Sequence, residues 1–211
     1  MRIVKEYEER RNEILDTAEK LFVTKGYTKT TVNDILKEIG IAKGTFYHYF
    51  KSKEEVMDEI IMRIIKADVA KAKAIVSNPN IPVLDKLFRI LMEQSPKSGD
   101  IKEKMIEQFH QPNNAEMHQK SLVQSIIYLS PVLTEVLKQG IEEGIFFTPY
   151  PQETIELLIS SAQVIFDDGL FQWKPEEMMR RAIAYIKMME ASVGAKEGSF
   201  DYMLEVLIKQ K

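Results

Sequence analysis

The most chemically suggestive stretch of the chain is a short run that mixes polar and aromatic side chains, Lys43-Gly44-Thr45-Phe46-Tyr47-His48-Tyr49-Phe50. If it is helical, Phe46, Tyr49 and Phe50 pack inward, and Lys43, Gly44, Thr45, Tyr47 and His48 stay on the outer face. From Ile39 to Lys53 there are three lysines and no acid. A short exposed helix with cationic, hydroxyl and phenolic groups near its start suits the major groove of a DNA duplex, where its first residues meet base edges and its flanks meet phosphates. In that arrangement Thr45 and Tyr47 make base and phosphate contacts, Lys43 and His48 stand beside them, and Thr31, Lys51 and Lys53 hold the backbone. Lys53 also sits where the next helix begins, an end that offers free N–H groups to an anion.

Other chemistry is thinly represented. Glu107-x-x-His110 has the spacing that puts a carboxylate and an imidazole on one helix face, as in di-iron bundles, but such sites need two pairs and two further glutamates. His118 has Ala115, not an acid, three residues before it. Asp167-Asp168-Gly169 reads as a helix end. Gly-rich phosphate loops, nucleophile elbows and zinc spacings are missing from the sequence. The expectation is therefore no metal, no cofactor and no enzyme.

The elements that must position the short helix are legible around it. Val32, Ile35, Leu36 and Ile39 recur at i, i+3, i+4 and i+7, the apolar face of a helix. Thr31 with Asp34 can cap its start, and Gly40 can end it in a left-handed turn. Only Ile41 and Ala42 then separate it from the polar-faced helix, which gives helix, tight turn, helix. Ser52 with Glu55 forms a second capping box that opens a further helix.

These residues resemble a known family. Ile14 to Glu55, ILDTAEKLFVTKGYTKTTVNDILKEIG followed by IAKGTFYHYFKSKEE, is similar to the N-terminal domain of the TetR family of bacterial transcriptional repressors. The family pattern is carried by Gly40, Ile41, Lys43, Gly44, Thr45, Tyr47, Tyr49, Phe50, Ser52, Lys53 and Glu54. The resemblance implies an all-α fold: a three-helix DNA-binding domain joined by a long helix to a helical effector-binding and dimerisation domain. Two positions depart from the pattern. Ala42 stands where the family often has a capping Ser, a loss of about 1 kcal/mol of cap. Leu36 and Ile39 are bulkier than the alanines often found there.

Composition agrees once the charge is divided along the chain. The 211 residues carry a net charge of −3, yet residues 1–53 hold 11 Lys+Arg against 8 Asp+Glu, and residues 54–211 hold 18 against 24. Positive charge gathers where groove contact is expected, and an acidic remainder stays off the phosphates. With no cysteine, disulfide and thiol chemistry are excluded. No stretch approaches the roughly 20 apolar residues of a membrane span, so a cytoplasmic protein is expected.

Helix one carries Ile14, Ala18, Leu21 and Phe22 on one face and stops at Gly26, with Arg10 and Arg11 on a mobile arm before it, read as a solvated charge run ahead of the alternative that they reach a neighbouring minor groove. A long helical pattern from Ser52 to about Ser77 spans roughly 39 Å and can link two domains, placed at 1–56 and 57–211. Asn78-Pro79-Asn80-Ile81-Pro82 ends it. Leu84, Leu87, Phe88, Leu91 and Met92 make the next helix, ended by Ser95 to Gly99, and Asp100 with Glu103 caps a short one. The pattern from Ala115 to Glu143 is interrupted at Pro131 and is either kinked or split there.

Two later helices, about 151–167 and 175–191, are apolar on two sides. Ile155, Leu158, Ile159, Ala162, Ile165 and Phe166 form one stripe and Leu157, Ser161 and Val164 another; Met179, Ala182, Ile183 and Ile186 oppose Met178, Tyr185, Met188 and Met189. Two apolar sides need two partners, so a homodimer through these helices is expected, and the resemblance implies the same interface. A last helix from Ser199 carries Phe200, Met203, Leu204, Leu207 and Ile208. Pockets between bundle helices are lined by aromatic and Met side chains, which makes Phe88, Met92, Phe109, Gln124, Tyr128, Phe166 and Trp173 candidates for holding a small hydrophobic effector.

The expectation is a dimeric regulator, a repressor, that binds a palindromic DNA operator and is released by that effector. A DNA-bound scaffold answering to a protein partner, and a bundle enzyme or lipid carrier with an incidental helix-turn-helix, are the alternatives.

Overall fold

The computed structural model describes residues 2–94 and 99–209, and among them regular structure is entirely helical. The helices are α1 (Arg2–Lys25), α2 (Val32–Ile39), α3 (Lys43–Tyr49), α4 (Lys53–Val76), α5 (Val83–Gln94), α6 (Ile101–Phe109), α7 (Ala115–Glu142), α8 (Pro151–Ile165), α9 (Pro175–Ser192) and α10 (Asp201–Lys209), with a 3-10 turn at Pro112–Asn114. They divide into two compact units, residues 1–65 with 96–121 and residues 66–95 with 122–211.

In the first unit, apolar periodicity becomes a core of Ile14, Ala18 and Phe22 from α1, Ile35 from α2, Phe46 and Phe50 around α3, and Val56, Met57 and Ile60 from α4. Leu21 and Ile39 are only half-buried. Met105 and Phe109 of α6 are also buried. Gln108 on α6 accepts the Tyr27 N–H at 3.2 Å. The α6 segment therefore packs with the N-terminal helices, although the sequence reading groups it with the C-terminal half; its partners lie some 81 residues away and no local pattern announces them.

Arg10 and Arg11 are not an arm. Both lie within α1, where Arg10 pairs with Glu13, and Arg11 pairs with Glu59 at 2.7 Å while its guanidinium sits 5.3 Å from the Phe50 ring centre. Charge pairing on helix neighbours and the packed stem of Arg11 extend the helix through a stretch with no apolar stripe.

The core of the second unit gathers Val76, Val83, Leu87 and Ile90 with Leu129, Leu133, Val136 and Leu137 of α7, Ile155, Leu158 and Ile159 of α8, Ile186 and Met189 of α9, and Phe200 and Met203. The alternative left open at Pro131 resolves as one helix with the proline inside it. The missing N–H strands the Ile127 carbonyl, on a residue that is 55% exposed and so open to water. Ser130 holds the region from the buried side: its carbonyl accepts the Thr134 hydroxyl at 2.8 Å and its hydroxyl accepts the Gln152 amide at 3.1 Å.

The expected two-sidedness of α8 is present. Ile155, Leu158 and Ile159 are buried, whereas Leu157 and Val164 are exposed. On α9 the split falls differently. Ile186 and Met189 form the inward pair and Tyr185 donates to the Leu158 carbonyl at 3.0 Å, whereas Ile183 and Met188 are both exposed. The last helix starts at Asp201, not Ser199, with Phe200 and Met203 buried. Side chains of Leu207 and Ile208, and the segment from Ser95 to Ser98, fall outside the described residues.

Candidate nucleic-acid interface

The helix-turn-helix is built by local bonds. Thr31 and Asp34 cap α2 reciprocally: the Thr31 hydroxyl accepts the Asp34 N–H at 3.2 Å and the Asp34 carboxylate accepts the Thr31 N–H at 2.8 Å. Lys25 reaches the same carboxylate at 2.6 Å. The Lys25 contact and these cap bonds hold the Asp34 pKa well below the usual carboxylate range. At the other end Gly40 adopts φ 79°, a left-handed conformation that costs a side-chain-bearing residue dearly, and its N–H closes on Leu36.

The turn then delivers α3, whose two faces separate as expected. Phe46 is fully buried and Phe50 nearly so, while Lys43, Gly44, Tyr47 and His48 are exposed and Thr45 is half-exposed. The Lys43 ammonium lies 5.8 Å from the Tyr47 ring centre. Ala42 provides no side-chain cap, so the start of α3 keeps free N–H groups toward solvent. Gly44 is open too: a Cβ built there meets no atom within 4 Å, so intrachain packing does not demand glycine.

Tyr49, expected to face inward, is only half-buried, and Tyr7 from the first turns of α1 packs against it. The two rings are 4.7 Å apart, and Tyr7 also meets His48 edge-on at 5.9 Å. Glu6, Glu9, Arg10 and Glu13 complete the groove around this contact. Sequence reasoning missed Tyr7, and only its aromatic character in an otherwise charged run could have flagged it. Removing the brace in Tyr7→Ala is expected to forfeit about 0.5–1.5 kcal/mol of ring contact and to weaken duplex binding by up to about tenfold, measured by fluorescence anisotropy.

The backbone-holding set divides. Thr31 is exposed beside the cap it makes, and Lys51 is exposed, with its N–H given to Glu55. The Ser52–Glu55 box is thus half-formed: Glu55 N–H donates to the Ser52 hydroxyl at 3.2 Å, but the Glu55 carboxylate serves Lys51. Lys53 is engaged within the fold. Its ammonium donates to the Tyr27 carbonyl at 2.8 Å and the Thr30 carbonyl at 2.9 Å, and lies 4.1 Å from the Tyr27 ring centre. Burial pushes its pKa down, and burial with the Glu54 charge pushes the Tyr27 phenol up.

Two lysines two residues apart therefore have different expected phenotypes. Lys51→Ala should leave the urea midpoint unchanged and reduce the slope of log affinity against log salt by about 0.9, one phosphate contact. Lys53→Met removes two charge-assisted bonds and should lower stability by about 2 kcal/mol. Equal midpoints for the two variants would contradict this assignment.

The residues named for an effector do not form one set. Phe109 belongs to the N-terminal unit. In the second unit, Phe88 meets Tyr202 at 5.7 Å, and Phe166 meets Tyr185 at 5.5 Å. The Trp173 indole donates to the Ile165 carbonyl at 2.9 Å, between stacked Phe171 and the Arg181 guanidinium. Met92 and Gln124 are half-buried and Tyr128 is 41% exposed. Among the described residues no helix is long and apolar enough to cross a membrane.

A capped helix, a glycine turn and a polar-faced helix backed by buried aromatics make up the reading head of the helix-turn-helix transcriptional regulators. Residues 14–60 match the family model of bacterial regulatory proteins, tetR family, and residues 97–188 match a tetracyclin repressor-like C-terminal domain. The uncharacterized HTH-type transcriptional regulator YhgD of Bacillus subtilis is 30% identical over 139 residues, 65% of this chain and 70% of that protein. The HTH-type transcriptional repressor KstR2 of Mycobacterium tuberculosis is 29% identical over 152 residues, 69% of this chain and 73% of that one. The chain belongs to the TetR family, whose members are transcriptional regulators and not enzymes. Solved structures agree in fold. A TetR-family regulator from Mesorhizobium loti aligns with TM-score 0.62 at 17% identity, over 89% of this chain and 98% of that one. SmeT of Stenotrophomonas maltophilia, in complex with triclosan, aligns with TM-score 0.61 at 20% identity, over 90% and 93%.

Proposed function

We propose that this regulator is a repressor that binds an inverted repeat in DNA as a homodimer and is released by a small hydrophobic compound. The observation that carries the DNA reading is the outer face of α3, where Lys43, Thr45, Tyr47 and His48 stand clear of the core in a stretch without acids. Thr45 and Tyr47 meet base edges and phosphate near the start of the helix, Gly44 admits close approach of the DNA backbone, and Lys51 and Thr31 anchor the flanks. Lys53 acts one step back by tying the loop before α2 to the start of α4.

Dimerisation is supported by Leu157, Val164, Ile183 and Met188, apolar residues that α8 and α9 leave exposed on a single subunit. Two such helices and their symmetry mates make a four-helix contact, which sets the distance between the two copies of α3. A compound that binds better to a dimer with another spacing shifts the population away from the DNA-bound form, by no more than its differential affinity. The SmeT complex shows that a neighbour in fold takes triclosan. Here the apolar second unit, with Phe88, Met92, Phe166 and Trp173, supports a ligand of similar character. The functional division is proposed at 1–56 for DNA and 57–211 for ligand and dimer.

A thermal-shift screen of hydrophobic compounds tests the effector: a compound that stabilises the protein and releases bound duplex is expected. Stabilisation by none, with DNA binding intact, would favour a scaffold that answers to a protein partner.

A further inference from the structure

We propose that His110 and His118 together bind a divalent transition-metal ion of the zinc, nickel or copper class. The two residues are eight apart, and in one unbroken helix they would stand about 12 Å apart along the axis, too far to share an ion. The fold brings them together by a turn: His110 closes α6, Pro112–Asn114 forms the 3-10 turn, and His118 lies in the first turn of α7. The turn is fixed from inside. Asn114 is buried, its side-chain amide donates to the Gln108 carbonyl at 2.6 Å, and its N–H donates to the Gln111 carbonyl at 2.9 Å. The Ser121 hydroxyl closes on the His118 carbonyl at 2.8 Å, one helical turn further on.

The resulting pair has the separation that a shared ion requires. The imidazole centres are 5.1 Å apart with planes inclined at 59°, and a ring nitrogen of each lies within 4.8 Å of the other. A metal–nitrogen bond of about 2.1 Å puts each ring centre roughly 3.2 Å from the ion, so two imidazoles at a tetrahedral angle have centres about 5.2 Å apart. The rings thus stand at nearly the ligating separation, and rotation about the side-chain bonds brings the nitrogens to the required spacing. His118 is 8% exposed and His110 is half-buried, so the fold already holds the two residues side by side and only their rings need turn. Paired imidazoles suit borderline ions such as zinc, nickel and copper, and disfavour magnesium, which prefers oxygen ligands. The Glu107-x-x-His110 spacing points to a carboxylate as companion; the fold supplies an imidazole.

The test uses the untagged full chain, titrated with zinc chloride in a slightly alkaline non-chelating buffer and followed by calorimetry and by NMR of the imidazoles. The sequence has three histidines, so each can be followed separately. The expected result is saturable binding of one ion per chain, with the signals of His110 and His118 shifted and that of His48 unmoved. Magnesium chloride should have no effect. His110→Gln and His118→Gln should each weaken zinc binding at least tenfold. If the buried His118 variant fails to fold, the half-buried His110 variant carries the comparison. Absence of saturable binding by the parent chain, full affinity in His110→Gln, or a shift confined to His48 would each overturn the proposal. None of these readouts involves DNA, so they stand apart from the repressor reading.

Discussion

Leu157→Glu should yield a folded single subunit with little affinity for its operator. Leu157 is 72% exposed on α8, so within one subunit the change resembles an ordinary surface substitution, worth about 0.5 kcal/mol or less. In a two-fold dimer the position occurs twice, and each copy would lose about 1.5–3 kcal/mol of buried leucine and add the cost of confining a carboxylate among Val164, Ile183 and Met188. A subunit alone can grip one half-site only. Losing the linked second half-site should weaken binding by about 100-fold or more. Light scattering gives the mass, circular dichroism the fold, and anisotropy the affinity. A dimer that survives the substitution would place the interface elsewhere.

Gly194→Ala should produce the largest loss of stability. Gly194 follows α9 with φ +65°, a conformation that costs an L-residue about 1–2 kcal/mol. A Cβ there would also come within 2.0 Å of the Phe147 carbonyl oxygen, which belongs to backbone held by the Phe147 N–H to Val193 bond at 2.9 Å. Backbone cannot swing aside as a flexible side chain can, so overpacking adds roughly 1–3 kcal/mol. The sum, about 2–5 kcal/mol, is a large share of the 5–15 kcal/mol typical of whole proteins. Gly144 supplies the control. It has φ +72° with nothing within 4 Å, so Gly144→Ala should cost only the conformational part. Equal urea midpoints for the two variants would show that the Phe147 contact relaxes freely.

What the sequence disclosed and what it hid follow from distance along the chain. The Thr31–Asp34 cap, the Gly40 turn and the buried Phe46 and Phe50 depend on neighbours within a few residues, so spacing alone reveals them. Lys53 looks like a phosphate anchor because its acceptors, the carbonyls of Tyr27 and Thr30, lie 26 and 23 residues away. The α6 helix looks C-terminal because its bond to Tyr27 spans 81 residues. The first turns of α1 looked like a loose arm because ion pairs and one tyrosine, not an apolar stripe, hold them. Pro131 was undecidable for a different reason: a helix can begin at a proline or absorb one, and packing of Ser130 and Thr134 makes the choice. On α9, Ile183 and Ile186 share a periodic stripe, but only Ile186 is buried and Ile183 is exposed. The effector candidates rest on residue type alone, and type does not encode which cavity a side chain faces.

Paired copies of α3 are proposed to read an inverted repeat. Selection of random duplexes by the purified full chain, followed by sequencing of those retained, tests it most directly. The expected outcome is a palindrome whose half-sites lie one helical turn apart, or a whole number of turns, with enrichment abolished in the Leu157→Glu chain. Retention that shows no sequence preference at any salt concentration, or enrichment of a single unrepeated site by the parent chain, would contradict it.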